Sequence, residues 1–131
     1  MSAYKTLICT FKDKETLVES LVNLGWKPSV DNPQKLRGYR NDTRNVTAEI
    51  IVSKDQISSS SNDLGFTYDE SLKEFLMYCS DYDCKIGISD KVKQSYAITA
   101  IKKALIKNKF SIKEETKTPN RNVVLTAGKI I

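Results

Sequence analysis

Three of the chain's four arginines, Arg37, Arg40 and Arg44, fall within one short stretch around Tyr39. Arginine offers a planar fork of donors and tyrosine a ring with a polar tip, a combination suited to gripping another protein or stacking on single-stranded nucleic acid. If Leu36-Arg37-Gly38-Tyr39-Arg40 is a strand, Arg37 and Tyr39 point to one face and Leu36, Gly38 and Arg40 to the other. The plainer alternative is a solvated strand edge whose charges discourage sheet-to-sheet pairing.

A second constellation is Cys79-Ser80-Asp81-Tyr82-Asp83-Cys84, two thiols flanking two carboxylates. A structural zinc site needs four Cys or His ligands, and the third thiol, Cys9, lies far away in the sequence. Neighbouring carboxylates also raise a thiol's pKa and oppose a reactive thiolate. Two ordinary cysteines beside an acidic turn are expected, with no metal. An odd number of cysteines, with no secretory signal, argues for reduced thiols in an internal compartment.

Histidine is absent, which removes Ser-His-Asp and Cys-His pairs, His-ligated metals and the usual neutral-pH proton shuttle. No glycine-rich phosphate loop occurs. No catalytic residue and no cofactor is therefore expected, and the chain reads as a binding protein rather than an enzyme.

The net charge of +5 is unevenly distributed: nine cations accompany eight anions in residues 1–65, and twelve accompany eight in residues 66–131. A modest basic excess of this kind attracts nucleic acid, an anionic surface or an acidic protein. Lys102 and Lys103, on a predicted basic helix, join Arg37, Tyr39, Arg40 and Arg44 as candidate partner contacts. No apolar stretch is long enough to span a bilayer.

At 131 residues the chain suits one domain, 1–131. Tyr4–Phe11 reads as a strand. Asp13 caps a helix whose apolar face is Leu17, Val18, Leu21, Val22 and Leu24, and Gly25 ends it. Trp26–Val30 is extended, Asp31-Asn32-Pro33 is a turn, and Lys35–Tyr39 forms a hairpin with Val46–Val52 across the polar connector 41–45. Ser58-Ser59-Ser60-Ser61-Asn62 reads as an exposed loop.

Strands follow at Asp63–Tyr68 and within Leu72–Cys79. A second helix starts from Ser89 or Asp90 and carries a buried stripe of Val92, Tyr96, Ala97, Ala100, Ile101, Ala104 and Leu105. Ser111–Thr116 and Val123–Ala127 form a last hairpin around Pro119–Asn122. Helices separated by runs of hairpin-connected strands predict an α+β fold, a mainly antiparallel sheet with two amphipathic helices packed on one face.

The order of Leu21-Val22-Asn23-Leu24-Gly25-Trp26, Leu36-Arg37-Gly38-Tyr39, Ala48-Glu49-Ile50-Ile51-Val52, Asp63-Leu64-Gly65-Phe66 and Gln94-Ser95-Tyr96-Ala97 resembles the plastid and cyanobacterial family called hypothetical chloroplast open reading frame thirty-five. The resemblance covers nearly the whole chain. It implies a plastid location with organelle encoding, which agrees with an amino terminus that shows no transit peptide, and it implies no assigned activity. The expectation is a soluble plastid accessory or assembly protein that binds another plastid protein, with a nucleic-acid-binding module as the alternative.

Overall fold

Asp13 begins the first helix by accepting a hydrogen bond from the Thr16 backbone N–H, so α1 runs Lys14–Asn23. Gly25 ends it at φ +90°, and two bonds, Trp26 N–H to Leu21 O and Gly25 N–H to Val22 O, satisfy the last turn. This is the Schellman arrangement, and its apolar contact is between Trp26 and Leu21, both buried. In this computed structural model, residues 3–108 are described with their side chains, and 110–117 and 123–129 as backbone.

Five strands form one antiparallel sheet: β1 (Tyr4–Phe11), β2 (Ser29–Arg37), β3 (Thr43–Val52), β4 (Leu64–Asp69) and β5 (Glu74–Ser80), in the spatial order β1-β5-β4-β3-β2. Short helices α2 (Lys54–Ile57) and α3 (Asp81–Lys85) follow β3 and β5, and the long helix α4 spans Ile88–Lys107. Strands β6 (Phe110–Lys117) and β7 (Val123–Lys129) make a separate antiparallel pair, with Phe110 opposite Lys129 and Lys117 opposite Val123. The expected turn at Pro119–Asn122 lies outside the described residues.

The anticipated architecture is present. Leu17 and Leu21 of α1 and Ile88 and Val92 of α4 share one buried cluster with Phe11, Ile50, Val52, Leu64, Phe66, Phe75, Met77 and Cys79 from the sheet. Phe11 meets Phe66 edge-on at 6.1 Å between ring centroids and Tyr96 at 4.8 Å. Leu36, Ala48 and Ile51 form a smaller cluster, backed by Tyr4, Val46 and Tyr78. Gly65 makes room for it: a Cβ there would lie 2.8 Å from Ala48 Cβ and from both Leu36 methyls.

Several local expectations change, among them Val22, which is exposed rather than on the buried face of α1. The turn at Asp31-Asn32-Pro33 is an irregularity inside one strand: register shifts between Val30 and Gln34, and Asp31 takes φ +60°. Pro33 falls within this register shift of an edge strand, between the paired residues Val30 and Gln34, a place where proline is tolerated. The acidic segment after Cys79 is a helical turn, capped where Ser80 Oγ accepts from the Asp83 N–H.

The buried stripe of α4 is rotated from the expected one. Val92, Ser95 and Thr99 are buried, whereas Ala97 and Ala104 are exposed and Ile101 is 48% exposed. Hydroxyl groups bond across to α1: Ser95 Oγ donates to Ser20 O at 2.7 Å, and Thr99 Oγ1 accepts from Asn23 Nδ2 at 3.2 Å. Small polar residues that reach a backbone acceptor can be buried in preference to aliphatic ones.

The serine tract is exposed only at Ser59 and Ser60. Its end, Ser61-Asn62, is buried and continues into the buried Asp63. This correction builds the site described next.

Candidate binding site

Asn62 and Asp63 fasten the Leu36–Arg40 run from behind. The Asp63 carboxylate, in a side chain only 4% exposed, accepts from the Arg37 N–H at 2.8 Å and Arg37 Nε at 3.3 Å through Oδ2, and from the Lys54 N–H at 2.9 Å through Oδ1. Its own N–H donates to Arg37 O at 2.9 Å. Asn62 Oδ1 accepts from the Tyr39 N–H at 3.1 Å, while Asn62 Nδ2 donates to Ser80 Oγ at 2.9 Å and Asn62 N–H to Asp83 Oδ2 at 3.0 Å. A buried carboxylate is tolerated because donors surround it.

Tyr4 closes this network, its hydroxyl donating to Asp63 O at 2.6 Å. Burial, and then the Asp63 charge, push the Tyr4 phenol well above its ordinary pKa, so it stays a donor.

The strand expected over 36–40 ends at Arg37, and residues 38–42 turn, with Gly38 N–H on Asp42 O and Asn41 N–H on Gly38 O. The turn changes which groups share a surface: Arg40 lies over the Tyr39 ring, 5.3 Å from its centroid, instead of on the opposite face. Arg44 is directed inward. It is 14% exposed, pairs with the Asp42 carboxylate at 2.8 Å, lies 5.8 Å from the Tyr4 ring centroid and abuts Gly38.

Beside this turn Arg37 borders a recess of about 370 Å³ whose wall is Lys27, Ser29, Gln34, Lys35, Ile51, Ser53, Gln56 and Asp63. Gln56 shapes it: its Oε1 accepts from the Lys27 N–H and its Nε2 donates to Lys27 O, which holds the segment after α1 against α2. Arg37 Nη2 lies 3.4 Å from Ser53 Oγ.

Lys103 is elsewhere, with Nζ 2.9 Å from Glu19 and 3.9 Å from Glu15 of α1. Lys102 is half-exposed on the same helix. The structure thus brings Arg37, Tyr39 and Arg40 to one end of the sheet and leaves both lysines on α4, with Lys103 at the α1–α4 seam. Sequence reasoning missed Asn62, Asp63, Lys27, Lys35 and Gln56. The available signal was an Asn-Asp pair between a polar run and an apolar strand, a place where side chains often bond to neighbouring backbone.

The three cysteines are free, Cys79 buried and Cys9 and Cys84 half-buried. Burial first, then the neighbouring Cys84 thiol, raises the Cys79 pKa, and burial raises that of Cys9, so both stay protonated and unreactive. Among the described residues no group of three or more Cys, Asp or Glu side chains is placed to hold a metal ion, and no helix is long and apolar enough to cross a membrane.

An α+β domain with a polar, cation-rimmed recess at one end of its sheet is the class of protein these features define. Residues 20–126 match the family model described as a protein of unknown function (DUF1257), and the chain belongs to that family. No curated protein and no solved structure matches it.

Proposed function

We propose that this chain is a non-enzymatic accessory protein that acts by binding an acidic surface of another protein, and that it works in a plastid. The observation that carries the reading is the Tyr39–Arg40 pair, exposed on a turn whose backbone is fastened by the buried Asn62. An aromatic ring on a fastened turn, with a guanidinium over its face, offers large contact area with few rotatable bonds to order on binding, which suits an interface anchor. Lys35 and Arg37 beside it supply further positive charge. The plastid setting rests on the resemblance of the Leu36-Arg37-Gly38-Tyr39 and Asp63-Leu64-Gly65-Phe66 motifs. The absence of histidine and the neutral, shielded state of Tyr4, Cys9 and Cys79 favour binding over catalysis.

The test is affinity capture from plastid extract with wild type and the Tyr39→Ala/Arg40→Ala double variant, then reconstitution with the purified partner. Affinity should fall at least about tenfold in the double variant, as loss of an aromatic or Arg anchor produces. Unchanged affinity would remove this turn as the contact. Capture that is destroyed by nuclease and falls steeply with salt would instead support a nucleic-acid partner.

A further inference from the structure

Lys27, Lys35 and Arg37 converge on the recess between the β2–β3 hairpin and α2, with Ser29, Ser53, Gln34 and Gln56 between them. The lining is rich in donors and poor in free acceptors. Its single carboxylate, Asp63, faces Arg37 Nε and two backbone N–H groups, one oxygen on each side already engaged. The Gln56 amide is likewise occupied by the Lys27 backbone. Among the described residues, neither Lys27 nor Lys35 has a carboxylate at ion-pairing distance.

Arg37 is positioned rather than loose. Asp63 holds its Nε, and Nη2 lies near Ser53 Oγ. An arginine fixed by a buried carboxylate and flanked by two lysines is an arrangement that binds oxyanions end-on. Three cations against one already neutralised anion leave a local excess matched to a dianion better than to a monoanion. The volume, about 370 Å³, lies at the small end of the range for small-molecule sites.

We infer that this recess binds a small phosphate-bearing anion through Lys27, Lys35 and Arg37. The inference does not rest on the protein-partner reading, because the ligand enters the recess and the Tyr39–Arg40 turn lies outside its lining.

The experiment is an amide NMR titration of the full chain with inorganic phosphate, run beside sodium chloride and sodium acetate at matched ionic strength. Phosphate should give saturable shifts at Lys27, Ser53 and Gln56. Lys27→Gln/Lys35→Gln, which removes no side-chain hydrogen bond among the described residues, should weaken binding at least about tenfold, as expected for removal of two charge-assisted contacts. Arg37→Gln should do the same, while Tyr39→Ala/Arg40→Ala should bind as wild type. Non-saturating shifts, equal shifts with chloride, or undiminished binding by the double lysine variant would overturn the site. Acetate binding as tightly as phosphate would overturn the phosphate assignment.

Discussion

At the α1–α4 seam, Lys103 reaches Glu19 and Glu15 on the facing helix, so a cation counted as available in the sequence meets its counter-charges within the fold. At the β2–β3 end, Arg37 meets one carboxylate, and that carboxylate is buried and divided between a side chain and two backbone donors. The first arrangement is solvated and worth little to stability; the second anchors a turn and leaves positive charge facing outward. Charge composition therefore says how many cations a chain carries, while the placement of the anions decides which of them can meet a partner.

Asp63→Ala breaks the comparison most severely. It strands the Lys54 and Arg37 N–H groups and releases the Arg37 side chain, and a loss of about 3 kcal/mol in urea unfolding is expected. Gly65→Ala perturbs the same end without touching charge. Its new methyl must displace Leu36 against a fixed Ala48, costing about 1–3 kcal/mol, readable as a lowered Tm.

Asp13→Ala strikes the helix side by removing the α1 cap, at about 1 kcal/mol. This contribution depends on pH. The Thr16 hydroxyl, then the Thr16 N–H, hold the Asp13 carboxyl below its ordinary 3.8. A lowered folded-state pKa means the stabilisation is complete above the unfolded value and disappears as pH falls through the folded one. The gap between wild type and Asp13→Ala in urea midpoints should be full at neutral pH and shrink below about 3.8.

Arg37→Ala sharpens the contrast with Asp63→Ala. The side chain is 46% exposed, and Asp63 keeps both backbone donors, so the cost should be about 1 kcal/mol or less. Lys103→Gln should leave the unfolding midpoint unchanged within error at physiological salt. A large effect there, or equal losses for Arg37→Ala and Asp63→Ala, would erase the distinction between the two regions.

Much of the scaffold was legible because its signals are local. Asp13, the Leu17–Leu21 spacing and Gly25 define α1 without reference to anything distant, and the dense β-branched and aromatic residues of Tyr4–Phe11 and Val46–Val52 do the same for strands. The rotation of α4 was not legible, because Ser95 and Thr99 are buried only by virtue of acceptors and donors on α1. The expected strand face shared by Arg37 and Tyr39 was not legible as it stands, because β2 ends at Arg37 and the turn over 38–42 pairs Tyr39 with Arg40 instead.

The sequence by itself determined the α+β class, the order of the two long helices and the main strands, and the absence of histidine chemistry, since periodicity, caps and composition are properties of short windows. Only the tertiary structure decided that Asn62 and Asp63 belong inside and that Lys27 and Lys35 join Arg37 around a recess. The reason is that a polar residue's burial depends on partners brought to it, donors from β2 and α2 and an acceptor from β5, and their convergence is a property of the folded chain alone.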